Sequence, residues 1–468
     1  MYNVPQHIDI NKIFIVQRSE IEGRLEPEFY RPSIADLEKI IRGKSSHKLR
    51  DYALSVSGGA TPKKTEGDKY YSDKETGVPF LRVQNLNTDG TLSFDDCLYI
   101  NKETHEGMLA RSQVSQGDLL VKITGVGRMA IASVAPEGFV GNTNQHMVVV
   151  KTGNKEISKY LARYLNLDII EKIASRHSTG GTRPALDYPS VKNLPIIEGI
   201  DFSPIDRAIE LKKQKEYEAQ QLLDSIDTYI LNELGINLPE IRTDLKSRMF
   251  LVNRSELEER LDPTVYKDGI KLISNNYNNV KLSSVAYVNP TGTFKVKDIE
   301  TPISFIPMES IDEVYSEVSK LEDTTIENAS GFTKFKEGDL LWAKITPCMQ
   351  NGKSAIARNL TNGLGCGSTE FFVMRPKDER LAIEYLHVIL HMKCVRETAM
   401  LYFGGSAGQQ RVSSAFLENF NLPLPPKDKQ IEIASHVSTM RQRAKVLQEE
   451  GKTLIENAKK EVEKKIFG

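Results

Sequence analysis

A chain that repeats itself must fold as two related units, and this one repeats. Phe14–Tyr30 aligns without a gap on Phe250–Tyr266, matching Arg18 with Arg254, Glu22 with Glu258, Arg24 with Arg260, Pro27 with Pro263 and Tyr30 with Tyr266. The same order of features continues downstream. Leu49 pairs with Leu282, Gly117-Asp-Leu-Leu120 with Gly338-Asp-Leu-Leu341, the stretch from Asn142 with that from Ser368, and Tyr160 with Tyr385. Last, the loop Ser178–Pro184 corresponds to Tyr402–Arg411, which sets Gly180-Gly181 on Gly404-Gly405. Scaffold positions agree while the intervening loops diverge, so the two units share a fold and differ in what they touch.

Each unit opens with a short polar helix and continues with β-rich runs at 78–83, 119–123, 147–150, 340–345 and 371–374, which predict small mixed sheets. Helical patterns follow at 157–175 and 381–400, and Leu194-Pro195 and Leu422-Pro423 end the globules. A different texture then sets in. Between 204 and 234 the chain is charged and free of internal proline, with Ile205, Ile209, Ala219, Leu223, Ile226 and Ile230 spaced by alternating threes and fours. Lys212 and Glu216 fall on the same seam, placed to fix register or to pair with a partner helix. The C-terminal stretch repeats the spacing at Ile433, Val437, Met440, Ala444, Leu447, Leu454 and Ala458, with Gly451 as its weak point and Asp428 as the expected N-cap. One such helix after each globule predicts that the two pack on each other. A thirty-residue helix runs about 45 Å, against about 34 Å for a turn of B-DNA, so these helices have the length of a ruler.

The 468 residues suffice for two or three domains, and the partition expected is 1–200, 201–246, 247–426 and 427–468. The formal net charge of −1 confines any nucleic-acid surface to local patches. Polar residues interrupt the first twenty positions and no stretch reaches membrane-spanning length, so a cytoplasmic location without membrane contact is expected. Cys97, Cys348, Cys366 and Cys394 lack the spacing of a zinc site and are expected to be reduced, and no metal is expected. There is no phosphate-binding Gly-x-x-x-x-Gly-Lys-Ser/Thr loop, Asn289-Pro290 is not followed by Pro and an aromatic, and Gly125-Val-Gly127 lacks the setting of a dinucleotide site. No catalytic residue is therefore assigned.

Taken together, globule, helix, globule, helix resembles the specificity subunits of type I restriction-modification enzymes. The resemblance covers essentially the whole chain and rests on the order of Gly58-Gly-Ala-Thr-Pro-Lys63, the two Gly-Asp-Leu-Leu segments, the two Gly-Gly loops, and the run Leu422–Ile431. It implies an α+β fold: two similar target-recognition domains, separated and followed by helices packed as an antiparallel coiled coil, with a pseudo-twofold internal repeat. It also implies that each globule reads half of a split, asymmetric target in double-stranded DNA while the helices set the gap. By the same resemblance the helices dock two methyltransferase subunits, through which restriction and translocase subunits attach. S-adenosylmethionine, ATP and Mg then belong to partner chains, and this chain binds no cofactor. One departure is Asn289-Pro-Thr-Gly-Thr-Phe294 where the first globule has the glycine pair at Gly58, so the two half-sites should differ.

Arginine can grip guanine with two bonds, amides can do the same for adenine, and glycine lets backbone approach phosphate. Candidate contacts in the first globule are Lys63, Lys64, Arg82, Gln84, Asn85, Lys122, Arg128, Asn144, Gln145, His146, Thr179, Gly180, Gly181 and Arg183. In the second they are Lys295, Lys297, Lys344, Gln350, Asn351, Lys353, Gly404, Gly405, Ser406, Gln409, Gln410 and Arg411. Each lysine is either a phosphate contact or an ordinary solvated charge. Tyr402 and Phe403 either press on a base or pack in the core, and Arg18, Glu22, Arg24 and their repeats are either structural ion pairs or a docking surface. Two other functions remain open: the recognition subunit of a type II enzyme whose partner carries both nuclease and methylase, which the neighbouring gene separates, and a helical scaffold that never touches bases.

Overall fold

Strands that alternate side chains between two faces can read as unbroken apolar runs only when both faces are covered, and both faces of the central strands are covered here. The computed structural model describes residues 9–45, 47–239, 250–254, 262–292, 294, 298–405 and 409–467, without the side chains of Lys64 and Asp68. The chain forms two compact units, one of Met1–Gln214 with Glu450–Gly468 and the other of Lys215–Glu449. Where sequence texture separates helices from globules, compactness assigns part of each long helix to each unit.

In the first unit the strands are β1 (Ser55–Gly58), β2 (Val78–Leu81), β3 (Leu98–Ile100), β4 (Gln113–Ser115), β5 (Leu119–Lys122), β6 (Ala132–Val134), β7 (Val140–Thr143) and β8 (Met147–Lys151). They form an antiparallel sheet in the order β1-β8-β5-β6 and a mixed sheet in the order β3-β2-β7-β4, in which β2 and β7 are parallel. In the second unit β9 (Ala286–Val288), β10 (Pro302–Ile306), β11 (Glu322–Thr325), β12 (Thr333–Lys336), β13 (Leu340–Ala343), β14 (Ser354–Ile356), β15 (Leu364–Gly367) and β16 (Phe371–Pro376) repeat both orders strand for strand, as β9-β16-β13-β14 and β11-β10-β15-β12. The fold is α+β and internally repeated.

Leu119, Val121, Val148 and Val150 pack against the helices of the first unit, while Leu120, Met147 and Val149 pack with Leu81 and Val114 of the mixed sheet. Leu340, Trp342, Phe372 and Met374 repeat the first arrangement, and Leu341, Phe371 and Val373 repeat the second. The repeated Gly-Asp-Leu-Leu segment is the turn into the central strand. Gly117 and Gly338 take φ of 81° and 83°, which favours glycine. Asp118 and Asp339 each accept a bond from the backbone three residues back, Ser115 N and Lys336 N at 2.8 Å. Each also holds a cation from the adjacent strand, Lys151 at 3.4 Å and Arg375 at 2.6 Å.

The helical stretch 157–175 is two helices, α1 (Lys155–Leu165) and α2 (Asp168–His177). They separate because the buried Asn166 gives its amide to β6, donating to Ala132 O at 2.6 Å and accepting from Ala132 N at 3.2 Å. In the second unit the stretch 381–400 divides into α4 (Ile383–His391) and α5 (Lys393–Met400) around extended backbone at Met392, where Lys393 N donates to Asp227 Oδ2 at 2.8 Å.

The long helices are α3 (Ser203–Leu234) and α6 (Lys427–Phe467). Within the second unit Ala219 packs on Ala444 and Leu447, the ring of Tyr229 lies 4.3 Å from that of His436, and Glu233 pairs with Lys429 at 2.6 Å. Rising numbers on one helix meet falling numbers on the other, so the pairing is antiparallel. Within the first unit Ile205 and Ile209 share a core with Ile455, Ala458, Val462 and Ile466. Three expectations change. The apolar seam passes from Leu447 to Ile455, which is 4% exposed, while Leu454 is half-buried, as expected when a 3.6-residue helix drifts from a 3.5-residue pattern. Gly451 is a crossing point rather than a gap: a Cβ there would stand 3.1 Å from Lys212 Cγ, and Lys212 extends to Asp89 Oδ2 at 2.7 Å. Asp428 lies inside the first turn of α6 instead of capping it, and the anchoring residue is the buried Gln430, whose amide bonds Ala382 N, Arg380 O and Pro425 O.

Candidate nucleic-acid interface

At one end of each antiparallel sheet a glycine-bearing loop is stitched to the central strand by the same backbone bonds. In the first unit Gly125 N donates to Pro184 O at 3.1 Å, Leu186 N to Ile123 O at 2.8 Å, and Ile123 N to His146 O at 2.9 Å. In the second, Thr346 N donates to Gln410 O at 3.0 Å, Val412 N to Lys344 O at 2.9 Å, and Lys344 N to Glu370 O at 2.9 Å. Thr179 bridges Ala185 as Gly404 pairs with Arg411. These bonds make Ile123 equivalent to Lys344, His146 to Glu370, Pro184 to Gln410 and Ala185 to Arg411. They also set Gly180 on Gly405, with φ of 95° and 107°, so the glycine pairs are offset by one residue from the match read in sequence.

Several candidates of the first unit meet around this loop. Gln145 bonds Thr61, and the Asn144 side chain accepts from His146 N at 3.1 Å. Gly59 passes so close to the Thr143 carbonyl that a Cβ would overlap it, which accounts for glycine in the segment after β1. Burial lowers the pKa of His146, and the charge of Arg183 lowers it further. Thr179, Gly181 and Arg183 are exposed, and Arg183 makes no hydrogen bond or ion pair among the described residues. Lys63 is also exposed.

Other candidates are engaged in holding the fold. Asn85 is 1% exposed and staples its own loop, accepting from Arg82 N and donating to Ser93 O. Lys122 is buried, its pKa lowered by desolvation, with its ammonium on Val126 O at 2.8 Å. Arg128 is spent on Asp168 and Asn166 O at the junction of α1 and α2. Arg82 and Gln84 converge on the exposed Asp96, at 3.1 and 2.9 Å.

In the second unit Lys344, Gly404, Gly405, Gln409, Gln410 and Arg411 gather beside Glu370, with the Lys344 ammonium 5.6 Å from the centre of the Phe372 ring. Gln350, Asn351 and Lys353 do not join them, contacting Met400, Glu313 and Met308 O instead. Lys295, Lys297 and Ser406 lie outside the described residues, as do the side chain of Lys64 and the residues Glu258 and Arg260. Tyr402 is 8% exposed with its ring 5.2 Å from that of Phe416, a core position. Arg24 is likewise structural: it donates to Ser178 O at 2.9 Å, beyond the end of α2, and stacks 4.6 Å over Phe29.

The family model of the type I restriction modification DNA specificity domain matches residues 274–457, which take in β9–β16, the glycine loop and most of α6. The type I restriction enzyme EcoEI specificity subunit of Escherichia coli is 36% identical over 168 residues, 34% of this chain and 27% of the relative. The EcoAI specificity subunit of the same organism is 38% identical over 157 residues, 32% of this chain and 26% of the relative. Residues 274–457 therefore match the type I restriction modification DNA specificity domain, and about a third of the chain is similar to type I specificity subunits. Its match spans about a quarter of the length of each curated relative. Two solved chains align with 90% of this chain and 96% of their own length. One, described as the structural basis of complex assembly and conformational transition of the type I R-M system, has 15% identity and a TM-score of 0.46. The other, the HsdS subunit of Thermoanaerobacter tengcongensis, has 13% identity and a TM-score of 0.34.

Thr61, Asp96 and Glu370 bond the candidate residues at these loops but are not themselves among the candidate contacts. Acidic and neutral side chains are passed over by any search for cations and amides. The match drawn from Asn142 and Ser368 sets Asn144 opposite Glu370, and only the backbone bonds put His146 at that position.

Proposed function

We propose that this chain is the DNA-reading subunit of a type I restriction-modification complex, with each unit reading one half of a bipartite, asymmetric duplex target. The observation that carries the reading is the pair of glycine loops. They are stitched to the same position of two sheets with identical strand order, yet they present different polar groups: Arg183 beside His146 in one, and Gln409 and Arg411 beside Glu370 in the other. A shared scaffold with divergent exposed loops is the arrangement expected of two readers of different sequences. In this reading the antiparallel long helices set the gap between half-sites and dock two methyltransferase subunits, which carry the restriction and translocase subunits. Methylation and cleavage, with their S-adenosylmethionine, ATP and Mg, are the work of those cytoplasmic partners, and this chain supplies the address.

Methylation mapping of genomic DNA tests this, in a host carrying the gene with its neighbours against a strain lacking only this gene. Loss of one bipartite adenine motif is expected. An unchanged methylome in a host that expresses the assembled complex would overturn the reading and favour a scaffold.

A further inference from the structure

Arginine reads guanine best when its guanidinium is already held in plane, because the freedom lost on binding is then small and the two donors face O6 and N7 together. Arg411 is held in this way. Its Nε donates to the two carboxylate oxygens of Glu370 at 2.9 and 3.1 Å, its Nη2 donates to Oε1 at 2.8 Å, and its Nη1 donates to Gln409 O at 3.0 Å. A guanidinium carries five N–H donors. The side facing Glu370 consumes Nε–H and one hydrogen of Nη2, and Gln409 O takes one hydrogen of Nη1. What remains is one hydrogen on each terminal nitrogen, with no acceptor among the described residues. Arg411 is 43% exposed in its side chain and Glu370 is 22% exposed, so the pair is accessible from solvent. The carboxylate keeps a pKa below the usual range, chiefly through its bond to Arg411, so the clamp is charged at neutral pH.

We propose that Glu370 and Arg411 form a guanine-binding site in which Arg411 makes the base contact and Glu370 is the positioning residue. The first unit has no such pair, since His146 and Ala185 occupy the equivalent positions. The guanine therefore belongs to the half-site read by the second unit. This site rests on the DNA-reading function proposed above.

The test is methylation mapping with the complete complex carrying R411A, E370Q, the double variant E370Q/R411A, or R183A in the loop of the other unit. For R411A, the preference for guanine at one position of one half-site should fall about ten-fold or more, with the other half-site unchanged. E370Q should relax the same position, and the double variant should be no worse than R411A, since Glu370 acts through Arg411. A merely structural pair would lower occupancy evenly across both half-sites without changing base preference at any one position. R183A should relax the half-site read by the first unit and leave the preference for that guanine unchanged. The proposal is overturned if R411A keeps the full motif, if R411A and E370Q relax different positions, or if neither half-site holds a guanine. A host in which no bipartite motif depends on this gene would defeat the DNA-reading function itself, a separate result from loss of the guanine site.

Discussion

The two glycine loops hang from the same backbone bonds and part company in their side chains. In the first unit His146 leaves Arg183 exposed without an acceptor among the described residues, whereas in the second Glu370 grips Arg411 from the side. Geometry that is fixed by strand pairing survives duplication, because a one-residue slip would turn every core side chain outward. Side chains at the loop carry no such constraint and are free to change. The same contrast runs deeper in the turn before the central strand. There Asp339 is 1% exposed and clamped by Arg375 with two bonds, at 2.7 and 2.6 Å, while Asp118 is 8% exposed and meets Lys151 at 3.4 Å.

That difference gives the largest expected effect. Replacing Asp339 with Ala strands a partly buried arginine and frees the Lys336 amide, and should cost about 3–5 kcal/mol. D118A, which loosens a longer and more exposed pair, should cost about 1–2 kcal/mol. Urea unfolding of the full chain followed by hydrogen exchange in each unit measures both, and equal losses would break the comparison.

Acid should separate the units next. In the second unit His387 is buried beside Ser354, and burial first, then Arg441, lowers its pKa from 6.5 to about 3. Its folded pKa is depressed, so the unfolded chain takes up the proton first, and stability is lost as pH falls from 6.5 towards about 3. The slope is at most about 1.4 kcal/mol per pH unit for this one group. In the first unit the carboxyl of Glu38 is opposed by burial, which raises its pKa, but its bonds to His177 and Arg176 win and lower it from 4.5 to about 2. That contribution is intact above 4.5 and disappears between 4.5 and about 2. Hydrogen exchange at pH 5.5 should therefore show the core around His387 weakened while the core around Glu38 is intact, and H387N should flatten the slope.

A smaller effect is expected at the shared glycines. Gly180→Ala and Gly405→Ala each force an L side chain into positive φ, at a cost of roughly 1–2 kcal/mol, and thermal melting of each variant should show similar losses. A large inequality would mean that the backbone equivalence drawn between the loops is wrong. Smallest of all, R183A should change stability by less than about 0.5 kcal/mol, while R411A, which breaks an exposed ion pair, should lower the melting temperature slightly more than R183A does.

Repetition, the central strands and the long helices were legible because each leaves a local mark: paired segments, apolar runs, alternating threes and fours. Bends were not. The stretch 157–175 keeps helical spacing through Asn166, and only the distant Ala132 backbone, which bonds that amide, explains the break. The candidate site was half legible. Arg183 and Arg411 are conspicuous in glycine-rich loops, but Lys122, Asn85 and Arg128 have the same composition-level signature and are bound inside the fold.

By itself the sequence determined that there are two units, that they share a scaffold, and which loops differ, since those facts lie in the order of residues along the chain. The tertiary structure decided which polar side chains are spent on backbone and which remain outside, and that Gly405 rather than Gly404 matches Gly180. It alone brought Glu370 to Arg411, forty-one residues apart in the chain. A hydrogen bond depends on distance and direction between groups that strand pairing brings together, and neither quantity is encoded in the spacing of residues along one segment.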